Sequence, residues 1–222
     1  MIEYTDVSNL PDEIKVIDDF CIPEYNEYLQ AKYVTSQKVP YALSSSTSGG
    51  YEDDPDRPDM SHDFMATHMI LKPPFMFSEN IFEVRPFFDV FTFTYRCKVN
   101  VTMKYGEEHL PYDAHTDLLE EAIPEGTYRS AIYYINGNNG ATEIRNPNGE
   151  VYFIESKANR VVSFPGTWTH CGWSATDAKF RCVMNFVYFG EAKYENMDQV
   201  YEGQLQLADH GMMQLHSNSN LG

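Results

Sequence analysis

The residue types in this 222-residue chain that could do chemistry fall in one order: His115-Thr116-Asp117, then His170, then Arg181. Two imidazoles and one carboxylate form the facial donor set that holds a non-haem ferrous ion and leaves its other coordination positions open. A guanidinium further along is a permanent, planar cation shaped to bind a carboxylate through two parallel hydrogen bonds. On a strand, residues two apart point to the same face, so His115 and Asp117 can converge on one ion while Thr116 faces away. His170 is a candidate for the third metal ligand, and Arg181 can bind a dicarboxylate cosubstrate.

A His-x-Asp tripeptide alone is a weak signal, and its context strengthens it. His170 lies on a strand-like segment just after Phe164-Pro165-Gly166, and in a jelly roll a late strand can lie beside the second one. Arg181, Val183, Asn185 and Val187 share one face of their run; Cys182, Met184, Phe186 and Tyr188 share the other. That places the guanidinium among apolar neighbours inside the barrel, where a cation demands an anion. Taken singly, each residue has a plainer reading: a hydrogen-bonded His115–Asp117 pair, a satisfied core histidine, a structural ion-pair arginine. Order and context together favour the metal and cosubstrate site.

Positioning these residues takes a mainly β fold with flanking α-helices. From Lys98 onward, period-2 runs separated by turn residues predict strands at Val99 to Tyr105, Tyr112 to Asp117, Tyr128 to Ile135, Thr142 to Arg145, Val151 to Glu155, Arg160 to Phe164, Thr169 to Trp173 and Phe180 to Phe189. Such a set predicts a double-stranded β-helix, a cupin-like jelly roll, with N-terminal helices packed on one sheet. Upstream, Lys15 to Phe20 reads as a short strand and Ile22-Pro23-Glu24-Tyr25 through Tyr33 as a helix. The aromatic stretch Phe75 to Phe93 reads as a helix that ends or kinks at Pro86 and packs on a sheet. Residues 44 to 61, rich in Ser, Gly, Asp and Pro, form a loop that is either a lid or an idle insertion. The chain is expected to be one domain: a support region over 1–97, the catalytic core over 98–190, and a helical or irregular arm with a frayed tail over 191–222.

Charge and composition exclude some classes. With 33 acidic and 16 basic residues the net charge is −17, a repulsive field for phosphate backbones and anionic lipid surfaces. Nucleic-acid and membrane partners are not expected. No apolar run approaches the roughly 20 residues that span a bilayer, and Met1-Ile2-Glu3-Tyr4-Thr5-Asp6 has no signal-peptide pattern, so the expected location is cytoplasmic. The four cysteines, Cys21, Cys97, Cys171 and Cys182, are read as buried thiols.

The stretch Val99 to Phe189 resembles the catalytic core of the 2-oxoglutarate and iron(II)-dependent dioxygenases, in their prolyl 4-hydroxylase-like branch. The residues that carry this are Tyr105-Gly106, Tyr112-Asp113-Ala114-His115-Thr116-Asp117, Arg129 to Asn136, Gly140-Ala141-Thr142, Arg160 to Gly166, His170, and Arg181 leading to Tyr188-Phe189. The resemblance implies that His115, Asp117 and His170 hold Fe(II), and that Arg181 pairs with the distal carboxylate of 2-oxoglutarate. Tyr134 would add a hydroxyl to that carboxylate, and Tyr105 would occupy the motif position on the first core strand; both fit core packing equally well. The implied reaction uses O2, releases succinate and CO2, and hydroxylates a prolyl residue of a peptide or protein; the family also implies ascorbate as a reductant. Two departures stand out: Gly140-Ala141 where the family often has Gly-Gly, and Arg181 where many procollagen-type members have Lys. Alternatives are a free amino-acid or small-metabolite hydroxylase on the same scaffold, and a jelly-roll module that binds metal without turnover. Trp168 and Trp173 flank His170, so that one of them walls the substrate pocket or both pack in the core.

Overall fold

Alternation of side chains between two faces sorts the second half of the chain into two antiparallel sheets. The computed structural model describes residues 2–36, 38–44, 64–74, 76–118, 128–194 and 197–219. In chain order the elements are β1 Lys15–Ile17, α1 Pro23–Gln30, β2 Ala42–Ser44, β3 Met65–Lys72, β4 Met76–Phe77, α2 Arg85–Val90, β5 Thr94–Met103, β6 Tyr128–Tyr134, β7 Ala141–Arg145, β8 Val151–Glu155, β9 Arg160–Pro165, β10 Thr169–Trp173, β11 Phe180–Phe189 and α3 Met197–Ser219. The large sheet runs β1-β9-β6-β11-β5-β3-β2, with β4 beside β3; the small sheet runs β10-β7-β8. This is the jelly-roll core expected from the alternating runs.

Two hydrophobic layers hold it. Between the sheets, Ile132, Tyr134, Val162, Phe164 and Val183 of the large sheet meet Ile144 and Ile154 of the small one, and Trp168 packs with them. On the far side of the large sheet, Cys97, Val99, Tyr133, Cys182, Met184, Phe186 and Tyr188 are covered by Tyr25, Tyr28 and Leu29 of α1, by Phe87 and Val90 of α2, and by Val200 and Ala208 of α3. The two faces read from the Arg181 run are therefore both buried, one toward the small sheet and one under helices. Gly211 of α3 lies against Tyr28, where an added Cβ would come within 2.2 Å of the ring. The four cysteines are buried free thiols. Among the described residues, no helix is long and apolar enough to cross a membrane.

Several elements differ from expectation. Pro86 opens a helix instead of ending one: a turn of 3-10 helix over Glu79–Phe82 precedes α2, whose first turn contains the proline. Proline lacks the N–H that a helix interior needs and has the φ that a first turn wants. β1 stops at Ile17 because the chain turns at Asp19, whose φ is +51°. α1 gives way after Gln30 to a wider turn over Ala31–Thr35. β3 pairs with β5 and extends the large sheet, although its sequence, Met65-Ala66-Thr67-His68-Met69-Ile70, carries little β-branched signal. The strand expected at Tyr112 to Asp117 is absent; only Pro111 and His115 form isolated bridges, to Trp173 and His170. Beyond Ser44, which ends β2, the loop expected over 44 to 61 lies outside the described residues.

Phe186 is fully buried, with its ring 5.1 Å from those of both Phe87 and Phe91. Phe186→Ala should lower the unfolding free energy by about 3–5 kcal/mol, the cost of a large buried aromatic and its cavity. Urea denaturation measures this, and a loss below about 1 kcal/mol would show that the helices do not depend on this face of β11.

Candidate active site

Two backbone hydrogen bonds bring the candidate ligands together. His115 N donates to the His170 carbonyl at 3.0 Å, and His170 N donates to the His115 carbonyl at 2.9 Å. Tyr112 N continues the contact by donating to Gly172 O at 2.8 Å. The segment before Asp117 thus lies along β10 without forming a strand. The imidazole centroids sit 4.8 Å apart. Donor atoms of His115, Asp117 and His170 all lie within 4.8 Å of one another, the one such His/Cys/Asp/Glu group among the described residues.

The ring contacts set which nitrogens are available. His115 Nδ1 lies 2.9 Å from the Asp113 carbonyl, and His170 Nδ1 lies 3.4 Å from that of Trp168. A carbonyl can only accept, so Nδ1 carries the proton on His115 and Nε2 keeps its lone pair; the longer His170 contact favours the same tautomer. His170 Nε2 lies 3.7 Å from Asp117 Oδ2.

Asp117 is the electrostatic centre. Its carboxylate accepts from Arg96 Nη2, from Ser130 Oγ at 2.5 Å and from Asn185 Nδ2 at 3.2 Å, while Arg96 Nη1 donates to its main-chain carbonyl at 3.0 Å. Burial alone would push the carboxyl up; the charges of His170, when that ring is protonated, and of Arg96 and Lys98 outweigh it and hold the group well below the usual carboxylate range. At neutral pH His170 is uncharged, so the cations that act are Arg96 and Lys98. Burial, only partly opposed by Asp117, brings His170 down from 6.5 to about 4. It therefore offers a metal an unprotonated nitrogen across the neutral range.

A second feature of the same cavity lies around Arg181. Arg181 is buried, with Nε donating to Ser156 Oγ at 3.1 Å, Nη2 to Thr142 Oγ1 at 2.9 Å, and its guanidinium carbon 5.7 Å from the Tyr134 ring centroid. These partners are all neutral, and among the described residues no carboxylate lies within 4.0 Å of it. Thr102, opposite Arg181 in the β5–β11 register, is also buried and has no hydrogen-bond partner for its hydroxyl. Gly172 keeps the approach open, since a Cβ there would come within 3.1 Å of Tyr112 and 3.3 Å of Arg181 Nη1. An unpaired buried guanidinium beside an orphaned hydroxyl fits a carboxylate ligand. The donor set at the other end fits a ferrous ion.

His115, Asp117, His170 and Arg181 line this one cavity, together with Tyr112, Met65, Ile132, Val183, Lys98 and Asn100. Tyr134 stands behind its wall, with its hydroxyl donating to Thr142 Oγ1 at 2.7 Å. Through that bond it supports the threonine that holds Arg181. Tyr105 is 52% exposed and does not line the cavity. Trp168 packs between the sheets, and Trp173 donates to Glu143 Oε2 at 2.9 Å instead of walling the pocket. The sequence alone assigned no role to Arg96, Ser130, Thr102, Thr142, Ser156 or Lys98, although Ser130 and Thr142 lie in segments that carry the resemblance. One signal was available: Arg96, Lys98, Asn100 and Thr102 alternate along β5 with Cys97, Val99 and Val101, polar against apolar.

No protein-family model matches the sequence, and no curated protein matches it. Solved structures do. A Pseudomonas putida prolyl-4-hydroxylase is 13% identical, with 81% of this chain and 92% of that one covered at a TM-score of 0.50. A Trichoplax adhaerens prolyl hydroxylase, solved with a peptide fragment of the hypoxia inducible factor oxygen degradation domain, is 16% identical, with 80% and 84% covered at a TM-score of 0.55. The epimerase SnoN, solved with Fe3+, alpha ketoglutarate and nogalamycin RO, is 13% identical, with 80% and 79% covered at a TM-score of 0.52. This chain has the fold these structures share.

The lowered His170 value has a consequence for stability. Between pH 6.5 and about 4 the unfolded chain binds a proton at this residue that the folded chain does not, so stability is present above 6.5 and falls as the pH drops through that window. Metal-free protein should lose about 2 kcal/mol between pH 7 and 4.5 from this group. Thermal unfolding across that range should be visibly flatter for His170→Asn; an unchanged slope would rule out a buried neutral imidazole.

Proposed function

We propose that this chain is an iron(II)- and 2-oxoglutarate-dependent oxygenase that hydroxylates a prolyl residue of a peptide or protein. The observation that carries the reading is one cavity with two ends. His115, Asp117 and His170 converge at one, and the buried guanidinium of Arg181, without a carboxylate partner among the described residues, stands with the orphaned Thr102 hydroxyl at the other. A metal-chelating dicarboxylate is the ligand class that spans both.

In this reading His115, Asp117 and His170 would hold the ferrous ion, and Arg181 with Thr102 would bind the distal carboxylate of 2-oxoglutarate. Bound together, the ion and 2-oxoglutarate would supply the oxidising chemistry, in which O2 is consumed, succinate and CO2 are released and a C–H bond becomes C–OH. The chain's own part is placement. Arg96, Ser130 and Asn185 hold the Asp117 carboxylate in one orientation, while Thr142 and Ser156 aim Arg181. Met65, Ile132 and Val183 give the cavity apolar walls that keep water from the reacting atoms.

Support for a prolyl substrate comes from the two prolyl hydroxylases of like fold, one of them solved with a peptide. The second reading is a free amino-acid or small-metabolite hydroxylase on the same scaffold, and the like-folded epimerase solved with nogalamycin RO supports a small-molecule substrate.

Anaerobic addition of ferrous iron and 2-oxoglutarate should produce a metal-to-ligand charge-transfer absorption band. Absence of that band would refute the oxygenase reading. His115→Ala should abolish it. Arg181→Ala should retain it but weaken 2-oxoglutarate binding about 10- to 100-fold, the loss expected for a charge-assisted pair; unchanged affinity would show that the anchor lies elsewhere. Succinate release in the presence of proline-containing peptides and of free amino acids, with the product mass showing one added oxygen atom, then separates the two substrate readings.

A further inference from the structure

The cavity holds a cation that the proposed chemistry does not use. Along β5 the side chains of Arg96, Lys98, Asn100 and Thr102 share the face toward the small sheet. Arg96 is committed to Asp117. Thr102 stands opposite Arg181, at the cosubstrate end. Lys98 and Asn100 lie between, in register with Asn185 and Val183 of β11, and both line the cavity with His115 and Asp117.

Lys98 is the one lysine among the residues that line this cavity. Among the described residues it has no carboxylate within 4.0 Å, whereas Lys32, Lys104 and Lys157 each reach one. Burial and the Arg96 charge push its ammonium down to about 8, against the pull of Asp117. Asn100, which also lines the cavity, accepts from Thr67 Oγ1 at 3.2 Å through Oδ1, and among the described residues its Nδ2 donor makes no hydrogen bond. A cation and an amide donor two residues apart on one strand face make a carboxylate-sized cradle. The surroundings sharpen the point: in a chain of net charge −17, an unpaired ammonium facing the metal-ligand set is not explained by average surface composition. With a ferrous ion and a dicarboxylate both bound, Arg96, Lys98, Arg181 and Asp117 leave the site net positive, and buried charge favours a compensating anion.

We infer that the substrate of this site carries a carboxylate, held by Lys98 and Asn100 beside the metal-ligand set, a reading that rests on the oxygenase proposal and narrows its substrate class. The carboxylate has two chemical sources: the α-carboxylate of a free amino acid, or an acidic side chain next to the target residue of a peptide.

Manganese(II)-loaded protein saturated with 2-oxoglutarate under argon provides the test, with proton line broadening as the readout of binding near the metal. The probes are two pairs: L-proline against L-prolinamide, and acetyl-Gly-Glu-Pro-Gly-amide against acetyl-Gly-Gln-Pro-Gly-amide. The carboxylate member of one pair should bind about ten-fold or more tightly than its amide counterpart, and the pair that discriminates identifies the source. Lys98→Met should remove the preference and Lys98→Arg restore it, while the 2-oxoglutarate Kd stays within about three-fold and the melting temperature confirms folding. Equal binding within both pairs, or no binding of either carboxylate probe, overturns the inference. So does a Lys98→Met variant that loses 2-oxoglutarate affinity instead, since Lys98 would then belong to the cosubstrate. Failure of the manganese-loaded wild-type protein to bind 2-oxoglutarate is a separate result, and it refutes the oxygenase reading itself.

Discussion

The buried carboxylate of Asp117, with a side chain 1% exposed, is the constraint on which the site depends. An ionised carboxylate in a protein interior is costly unless it is paired and fully hydrogen-bonded. Here three elements supply the compensation: Arg96 from β5, Ser130 from β6 and Asn185 from β11. Those are three adjacent strands of the large sheet, so the sheet must form in its observed register before the carboxylate can be accommodated. A one-residue slip of β5 would exchange Arg96 for Cys97 and leave the charge without its counterion. The same register puts Lys98, Asn100 and Thr102 into the cavity.

The second constraint is the pairing of His115 with His170. Reciprocal backbone hydrogen bonds lock an otherwise irregular segment to the edge of the small sheet, and the imidazoles follow the backbone. The large sheet thus provides the carboxylate's environment and the buried guanidinium of Arg181, and the small sheet provides a histidine and the docking edge. Only when the two sheets face each other across the layer of Ile132, Ile144, Ile154 and Val183 do the three donors meet. The helices contribute at a distance: α1, α2 and α3 cover the far face of β11, the strand that carries both Arg181 and Asn185.

Charge within the cavity runs against charge over the whole chain. The chain as a whole carries a net charge of −17, whereas the cavity is lined by Lys98 and Arg181, and Arg96 pairs with its one carboxylate, Asp117. In the low dielectric of such a cavity each contact between opposite charges is stronger than in water. The like-folded prolyl hydroxylases and epimerase show how little the scaffold itself decides about reaction outcome. In this chain the side chains of β5 and β11 that line the cavity are Lys98, Asn100, Thr102, Arg181, Val183 and Asn185.

The amino-acid sequence by itself determined the elements with strong periodicity. The run from Phe180 to Phe189 specified β11 and its two faces, and the short runs at Val151 to Glu155 and Thr169 to Trp173, bounded by turn residues and too short for a helix, specified β8 and β10. It also singled out His115, Asp117, His170 and Arg181, since those residue types in that order have few uses together. What periodicity could not express was left to the tertiary structure. The segment from Tyr112 to Asp117 looked like a strand but is held by only a few hydrogen bonds to β10, and Pro86 opened the helix it was expected to close. Arg96, Ser130 and Thr142 look ordinary in sequence; they acquire roles only where Asp117 and Arg181 arrive beside them from distant positions. Local pattern reports which face a side chain takes, whereas the partner it meets there depends on strand register and sheet packing, which are long-range and therefore belong to the folded chain alone.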